Sequence, residues 1–121
     1  MHIAAVHVCY PMLPKSKKGV IQCPIGVLIV PHLAEKLPEE ELEPLTTHGW
    51  EVYRPATGEM IVRKRITVRY PKQRKVPCRV AWDIAAKIQL ILRTLELNGK
   101  VAVQGPVETV NFAAHFLRFT N

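Results

Sequence analysis

The spacing of hydrophobic and polar residues changes along the chain. From Glu59 to Tyr70 the two kinds alternate. Val62, Ile66, Val68 and Tyr70 fall on one side with Lys64 among them, and Ile61, Arg63, Arg65, Thr67 and Arg69 fall on the other. A period of two belongs to a strand, whose successive side chains point to opposite faces. The pattern predicts a long strand with an apolar face on the core and an arginine face in solvent. Lys64 interrupts the apolar face and is expected near its rim, with its ammonium reaching water. Trp50–Arg54 is also strand-like, and Pro55-Ala56-Thr57-Gly58 is a turn, so the two runs predict a hairpin.

Beyond residue 79 the period lengthens. Val80, Ile84, Ile88, Ile91, Leu92 and Leu95 recur at helical spacing, and Asp83 stands one turn before Lys87, its expected partner. Asn98-Gly99 predicts the helix stop, because glycine accepts the left-handed conformation found there. Lys100–Gln104 predicts a short strand that Gly105-Pro106 ends, with Pro106 as the first residue of a final helix. In that helix Val107, Val110, Ala114 and Leu117 form an apolar stripe, widened by Phe112, Phe116 and Phe119. Glu108, Asn111, His115 and Arg118 form a polar one.

Eight of the ten prolines precede Pro77, seven of them in residues 1–58, so the N-terminal part predicts short strands and turns. His2–Cys9 is a strand, Tyr10–Gly19 a loop, and Val20–Val30 one strand or two, with Pro24 and Gly26 marking an edge or a bulge. Pro38 before Glu39, Glu40 and Glu41 suits a helix start, and Pro44 holds that helix to a turn or two. From residue 59 the order is strand, helix, strand, helix, so the two strands are expected to run parallel. The predicted fold is α+β: a two-layer sandwich of a mixed sheet with two principal helices on one face and a β-rich N-terminal half. The 121 residues predict one domain, 1–121, divided into a strand- and turn-rich half, 1–58, and a β-α-β-α half, 59–121.

Charge sharpens this picture. The chain carries 17 Lys and Arg against 10 Asp and Glu, a formal net charge of +7. Eight of the basic residues lie between Arg63 and Arg79 with no acid among them, so this segment contributes +8 and the remainder −1. Lys15, Lys17 and Lys18 form a smaller basic run, and Glu35, Glu39, Glu40, Glu41 and Glu43 form an acidic pole. Solvated faces and edge strands also gather charge, but a cationic strand feeding a cationic loop exceeds what edge protection requires. Localised, uncompensated cations are the footprint of phosphate binding. The candidate nucleic-acid-binding residues are Arg63, Arg65, Arg69, Lys72, Arg74, Lys75 and Arg79, extended by Lys15, Lys17 and Lys18. The expected partner is DNA or RNA, held by a homo-oligomer, most simply a homodimer. The alternative is an assembly subunit, or a viral or mobile-element factor, that docks on an acidic protein surface, with the Glu-rich and basic runs forming a head-to-tail contact.

A strand ending in Val68-Arg69-Tyr70, a Lys/Arg loop, a helix, the strand Lys100-Val101-Ala102-Val103-Gln104-Gly105 and a closing helix resembles the order in Alba-like nucleic-acid-binding proteins. The resemblance spans about residues 61 to 119. It implies that Lys72, Arg74 and Lys75, in the loop before the helix, contact DNA or RNA. The strand before the last helix departs from the family in lacking a Lys-Ala-x-Gly type of motif, and the chain ends where the family continues into a hairpin.

Little else in the sequence carries chemistry. Cys9, Cys23 and Cys78 are odd in number and widely spaced, which predicts reduced thiols and an intracellular setting, cytoplasmic or nucleoid-associated. His7 and Cys9 share a strand face, yet with His2 or Cys23 they match no tight ligand spacing, so neither metal nor cofactor is expected. His32, His48 and His115 are scattered. Ser16 is the sole serine, Lys17-Lys18-Gly19 is not a phosphate loop, and the basic segment contains no acidic residue, so the converging acids of a metal-dependent nuclease are not expected there. No catalytic residue is assigned and no enzyme is expected. No apolar run reaches the length of a membrane span, and the first residues lack a signal-peptide pattern.

Overall fold

In the computed structural model, residues 4–13, 18–108 and Phe112 are described. The chain is α+β, and its described residues form one mixed five-stranded sheet in the order β3-β4-β2-β1-β5 and one long helix. The strands are β1 (Val6–Pro11), β2 (Gly19–Ile29), β3 (Glu51–Tyr53), β4 (Met60–Tyr70) and β5 (Val101–Val107). The helices among the described residues are α1 (Pro31–Ala34), α2 (Glu43–Thr46) and α3 (Val76–Thr94), with a 3-10 turn at Glu39–Leu42.

The alternation in β4 sorts its side chains as the sequence predicts, except that Ile61, on the arginine face, is buried rather than in solvent. Met60, Val62 and Val68 are buried with Val6 and Val8 of β1 and with Cys23, Ile25, Val27 and Ile29 of β2. These side chains share one face through the registers Val27↔Val62 and Val8↔Val27. Ala81, Ile84, Ala85, Ile88 and Leu92 of α3 close over them. The 31–50 segment completes the cover with Leu33, Leu37, Leu42, Leu45 and Trp50. Arg54 fastens that segment to the hairpin by donating to the carbonyls of Ala34 and Leu37 and pairing with Glu39 at 3.5 Å.

The hairpin β3–β4 forms as expected, with Gly58 at φ +95° in its turn. β4 and β5 run parallel in direction, since β4 and β1 each lie antiparallel to β2 and β5 is parallel to β1. They are not neighbours, because β2 and β1 stand between them. Pro24 has a specific place. β1 pairs with β2 only from Val6↔Ile29 to Cys9↔Gly26, whereas β2 and β4 stay paired to Gly19↔Tyr70. Beyond Gly26, β2 has one neighbour, and the missing N–H of Pro24 is tolerated there.

Several boundaries differ from the sequence expectation. β1 runs through Tyr10 and Pro11, which were expected in a loop, and Pro44 stands in the first turn of α2 rather than ending the turn that starts at Glu39. α3 begins at Val76, a turn before Val80, with Pro77 in its first turn. It ends before Asn98-Gly99: the left-handed residue is Glu96, at φ 57°, and Leu97 N–H closes the turn on the Leu92 carbonyl at 2.8 Å. Gly99 is small for another reason, since a Cβ there would stand 2.8 Å from Leu33 Cδ2 and 3.3 Å from Leu92 Cδ1. Gly105-Pro106 does not end β5, which runs to Val107, so Pro106 and Val107 are strand residues rather than the start of a helix. Of the rest of that expected helix only Glu108, which lies in no helix or strand, and Phe112, whose N–H donates to the Glu108 carbonyl at 3.0 Å, are described. That buried ring packs with Cys9 and Ile61, which the register Cys9↔Gly26↔Arg63 places on the sheet face opposite α3.

Candidate nucleic-acid interface

The eight cations between Arg63 and Arg79 divide by the face each occupies. Lys64 points to the helix side and snorkels as predicted, donating to the His48 carbonyl at 2.7 Å. Arg63 lies on the opposite face and is neutralised across the hairpin by Glu51, with Nε 3.0 Å and Nη2 2.9 Å from Oε2. The register Glu51↔Arg63 makes this pair. Arg65, Arg69, Lys72, Arg74, Lys75 and Arg79 are exposed, and none forms a salt bridge among the described residues. The structure thus separates six open cations from two engaged ones.

Arg65 and Arg69 flank Thr67 on the solvent face of the part of β4 that extends past β1. There Thr67 accepts a hydrogen bond from Gln22 of β2 at 2.9 Å, and Val20 stands exposed opposite Arg69. The result is a two-stranded ribbon with one basic face and one face on the core. Its tip turns through residues 71–75. Gln73 holds that turn, its N–H donating to the Arg69 carbonyl at 2.6 Å and its Oε1 accepting from the Arg69 N–H at 2.7 Å. Lys72, Arg74 and Lys75 project from this turn, and Arg79 follows in α3.

The start of α3 has an unusual composition. Lys75 occupies the N-cap without a side-chain cap, and no acid lies in the first turn. Acidic residues are favoured there because unpaired N–H groups leave the helix start partially positive. Placing Lys72, Arg74, Lys75 and Arg79 around it compounds positive potential and suits an anion. Lys18 joins the same end, immediately before the Gly19↔Tyr70 pair; Lys15 and Lys17 lie outside the described residues. Glu35, Glu39, Glu40, Glu41 and Glu43 follow Ile29, which pairs with Met60 at the other end of β4. The molecule is therefore electrically polarised along β4.

A cleft lies within this basic end. Its volume is about 360 Å³, and Tyr10, Met12, Leu13, Tyr70 and Pro106 line it, with Arg74, Lys75 and Cys78 at the start of α3. Tyr10 packs against Gly105, where a Cβ would approach its ring to 2.6 Å. Its hydroxyl is pushed up to about 12, first by desolvation and then by the hydrogen-bonded Cys78 thiol beside it. Sequence reasoning assigned neither tyrosine to the site. The available signal was a repeated Tyr-Pro: Tyr10-Pro11 and Tyr70-Pro71 each close a strand ahead of a lysine-bearing loop.

The cysteines do not converge. Cys9 packs with Phe112 and donates weakly to Gln104 Oε1 at 3.9 Å, whereas Cys23 lies in the core beneath α3. Burial pushes both thiols up to about 11. Among the described residues no group of three or more His, Cys, Asp or Glu side chains is placed to hold a metal, and no helix is long and apolar enough to cross a membrane. Comparison with known proteins finds no matching family model, no matching curated protein and no matching solved structure.

Proposed function

We propose that this protein binds nucleic acid non-enzymatically, gripping the phosphate backbone with the ribbon tip and the loop that leads into α3. The observation that carries the reading is the set of six exposed cations, Arg65 to Arg79, without a salt bridge among the described residues at one end of the sheet. Arginine's planar fork matches phosphate oxygens, and lysine adds mobile point charge. The resemblance to Alba-like proteins supports the same reading through Lys72, Arg74 and Lys75. Titration of labelled DNA and RNA by fluorescence anisotropy tests it. Binding at low salt that weakens steeply as salt rises is expected; no binding to either polymer at low salt refutes it.

The separation of charge along β4 favours a second reading, in which the basic end docks on an acidic protein surface, including the Glu35–Glu43 pole of another copy. Salt-sensitive, concentration-dependent self-association in the absence of nucleic acid supports that reading. A monomeric mass at all concentrations removes its head-to-tail form.

A further inference from the structure

The cleft between Tyr10 and Tyr70 has a composition that phosphate binding alone does not explain. Backbone contacts call for exposed cations and polar donors. This cleft instead presents two phenol rings and apolar side chains, with Arg74 and Lys75 beside them. Its size falls at the small end of the range for ligand sites. The Tyr10 ring lies close against Gly105, because only a residue without Cβ lets the ring approach there. Met12 stands exposed in the same lining.

We propose that this cleft accepts one unpaired nucleobase, stacked on the tyrosines while Arg74 and Lys75 hold the adjoining phosphates, so that the preferred partner is single-stranded DNA or RNA. The inference rests on the nucleic-acid reading above and specifies the state of its ligand. Every base has a π-face, so aromatic stacking tolerates any sequence. A base inside a duplex is stacked on its neighbours and must leave the helix to enter a cleft. A duplex therefore meets only the outer cations, whereas a single strand meets the cations and the rings together. Phosphate contacts alone make duplex binding the more salt-dependent of the two, so a single-strand preference cannot come from charge density.

The test compares three polyanions of equal length at one low salt concentration on the unaltered protein: an oligothymidylate, a duplex, and a chain of abasic sugar-phosphate units. The single strand is expected to bind about tenfold or more tighter than the abasic chain, the scale of one stacked base, and tighter than the duplex. An oligonucleotide carrying 2-aminopurine is expected to lose fluorescence on binding. Tyr70→Leu is expected to remove both effects, and Tyr70→Phe, which retains the ring, to preserve them. Equal affinity for the single strand and the abasic chain, or a duplex bound as tightly as the single strand, overturns the inference while the electrostatic reading stands. Failure of all three polyanions to bind overturns both.

Discussion

Arg63 and Arg65 are two residues apart on one face of β4, yet the structure gives them different electrostatic roles. Arg63 is held by Glu51 at 2.9 Å, whereas Arg65 is exposed and without a salt bridge among the described residues. Each phosphate neutralised by a cation contributes about 0.7 to the slope of log affinity against log salt for a single strand and about 0.9 for a duplex. If Arg65, Arg69, Lys72, Arg74, Lys75 and Arg79 all engage, the single-strand slope is about −4, and affinity falls about 300-fold between 50 and 200 mM salt. Arg65→Gln should make that slope shallower by about 0.7. Arg63→Gln should leave it unchanged, because the charge removed was already compensated. The pair lies near the surface, so its loss costs stability about 1 kcal/mol at most, and the variants remain folded. Anisotropy titrations at four or five salt concentrations measure all three slopes. If Arg63→Gln and Arg65→Gln lower the slope equally, the pairing of Arg63 does not govern its availability and the reasoning is refuted.

Other predictions concern the frame behind the site. Glu96→Gly should stabilise the protein by about 1 kcal/mol in urea unfolding, since it relieves a left-handed backbone at φ 57°; a loss of stability would show that the Glu96 side chain matters more than its backbone. Gly99→Ala should destabilise by about 1–3 kcal/mol, because its methyl would meet Leu33 at 2.8 Å; a neutral change contradicts that packing. Ile88→Ala, under α3, should cost about 2–5 kcal/mol, and a smaller loss in urea unfolding would show that the sheet–helix core closes over the gap. Cys9 and Cys23 are pushed from 9.0 up to about 11 by burial. The folded state thus holds these protons more tightly than the unfolded one, and the resulting stability is fully present below pH 9 and lost as pH rises towards 11. The slope is about 1.4 kcal/mol per pH unit per thiol. Unfolding midpoints across that window should decline less in a Cys9→Ala, Cys23→Ala protein, and parallel declines would refute the assignment.

What the sequence revealed was mostly local. The alternation of Arg63, Arg65, Thr67 and Arg69 against Val62, Ile66 and Val68 predicted both faces of β4, because period two is a property of the strand itself. The Asp83–Lys87 pair, 3.1 Å in the structure, follows from helical spacing. Distant relationships were not legible in this way. Glu51 opposite Arg63 depends on the hairpin register, which a composition of Pro, Ala, Thr and Gly in the turn does not determine. The separation of β4 from β5 by β2 and β1 depends on strand order. Gly99 illustrates the ambiguity of a single residue type: glycine suits a helix stop, but here it permits close approach of Leu33 and Leu92. The Tyr10–Tyr70 cleft joins residues from opposite halves of the chain and exists only once the β2–β4 ribbon runs past β1 to the start of α3.

The central claim, that the basic end of the sheet grips a polyanion, is tested most directly by charge reversal at that end. Arg65→Glu, Lys72→Glu and Arg74→Glu alter three exposed side chains that make no salt bridge among the described residues, so the triple variant should unfold at an unchanged temperature. In a low-salt titration with a labelled single strand, the account predicts steep, salt-sensitive binding by the unaltered protein and none by the variant. Equal binding by both proteins would contradict it.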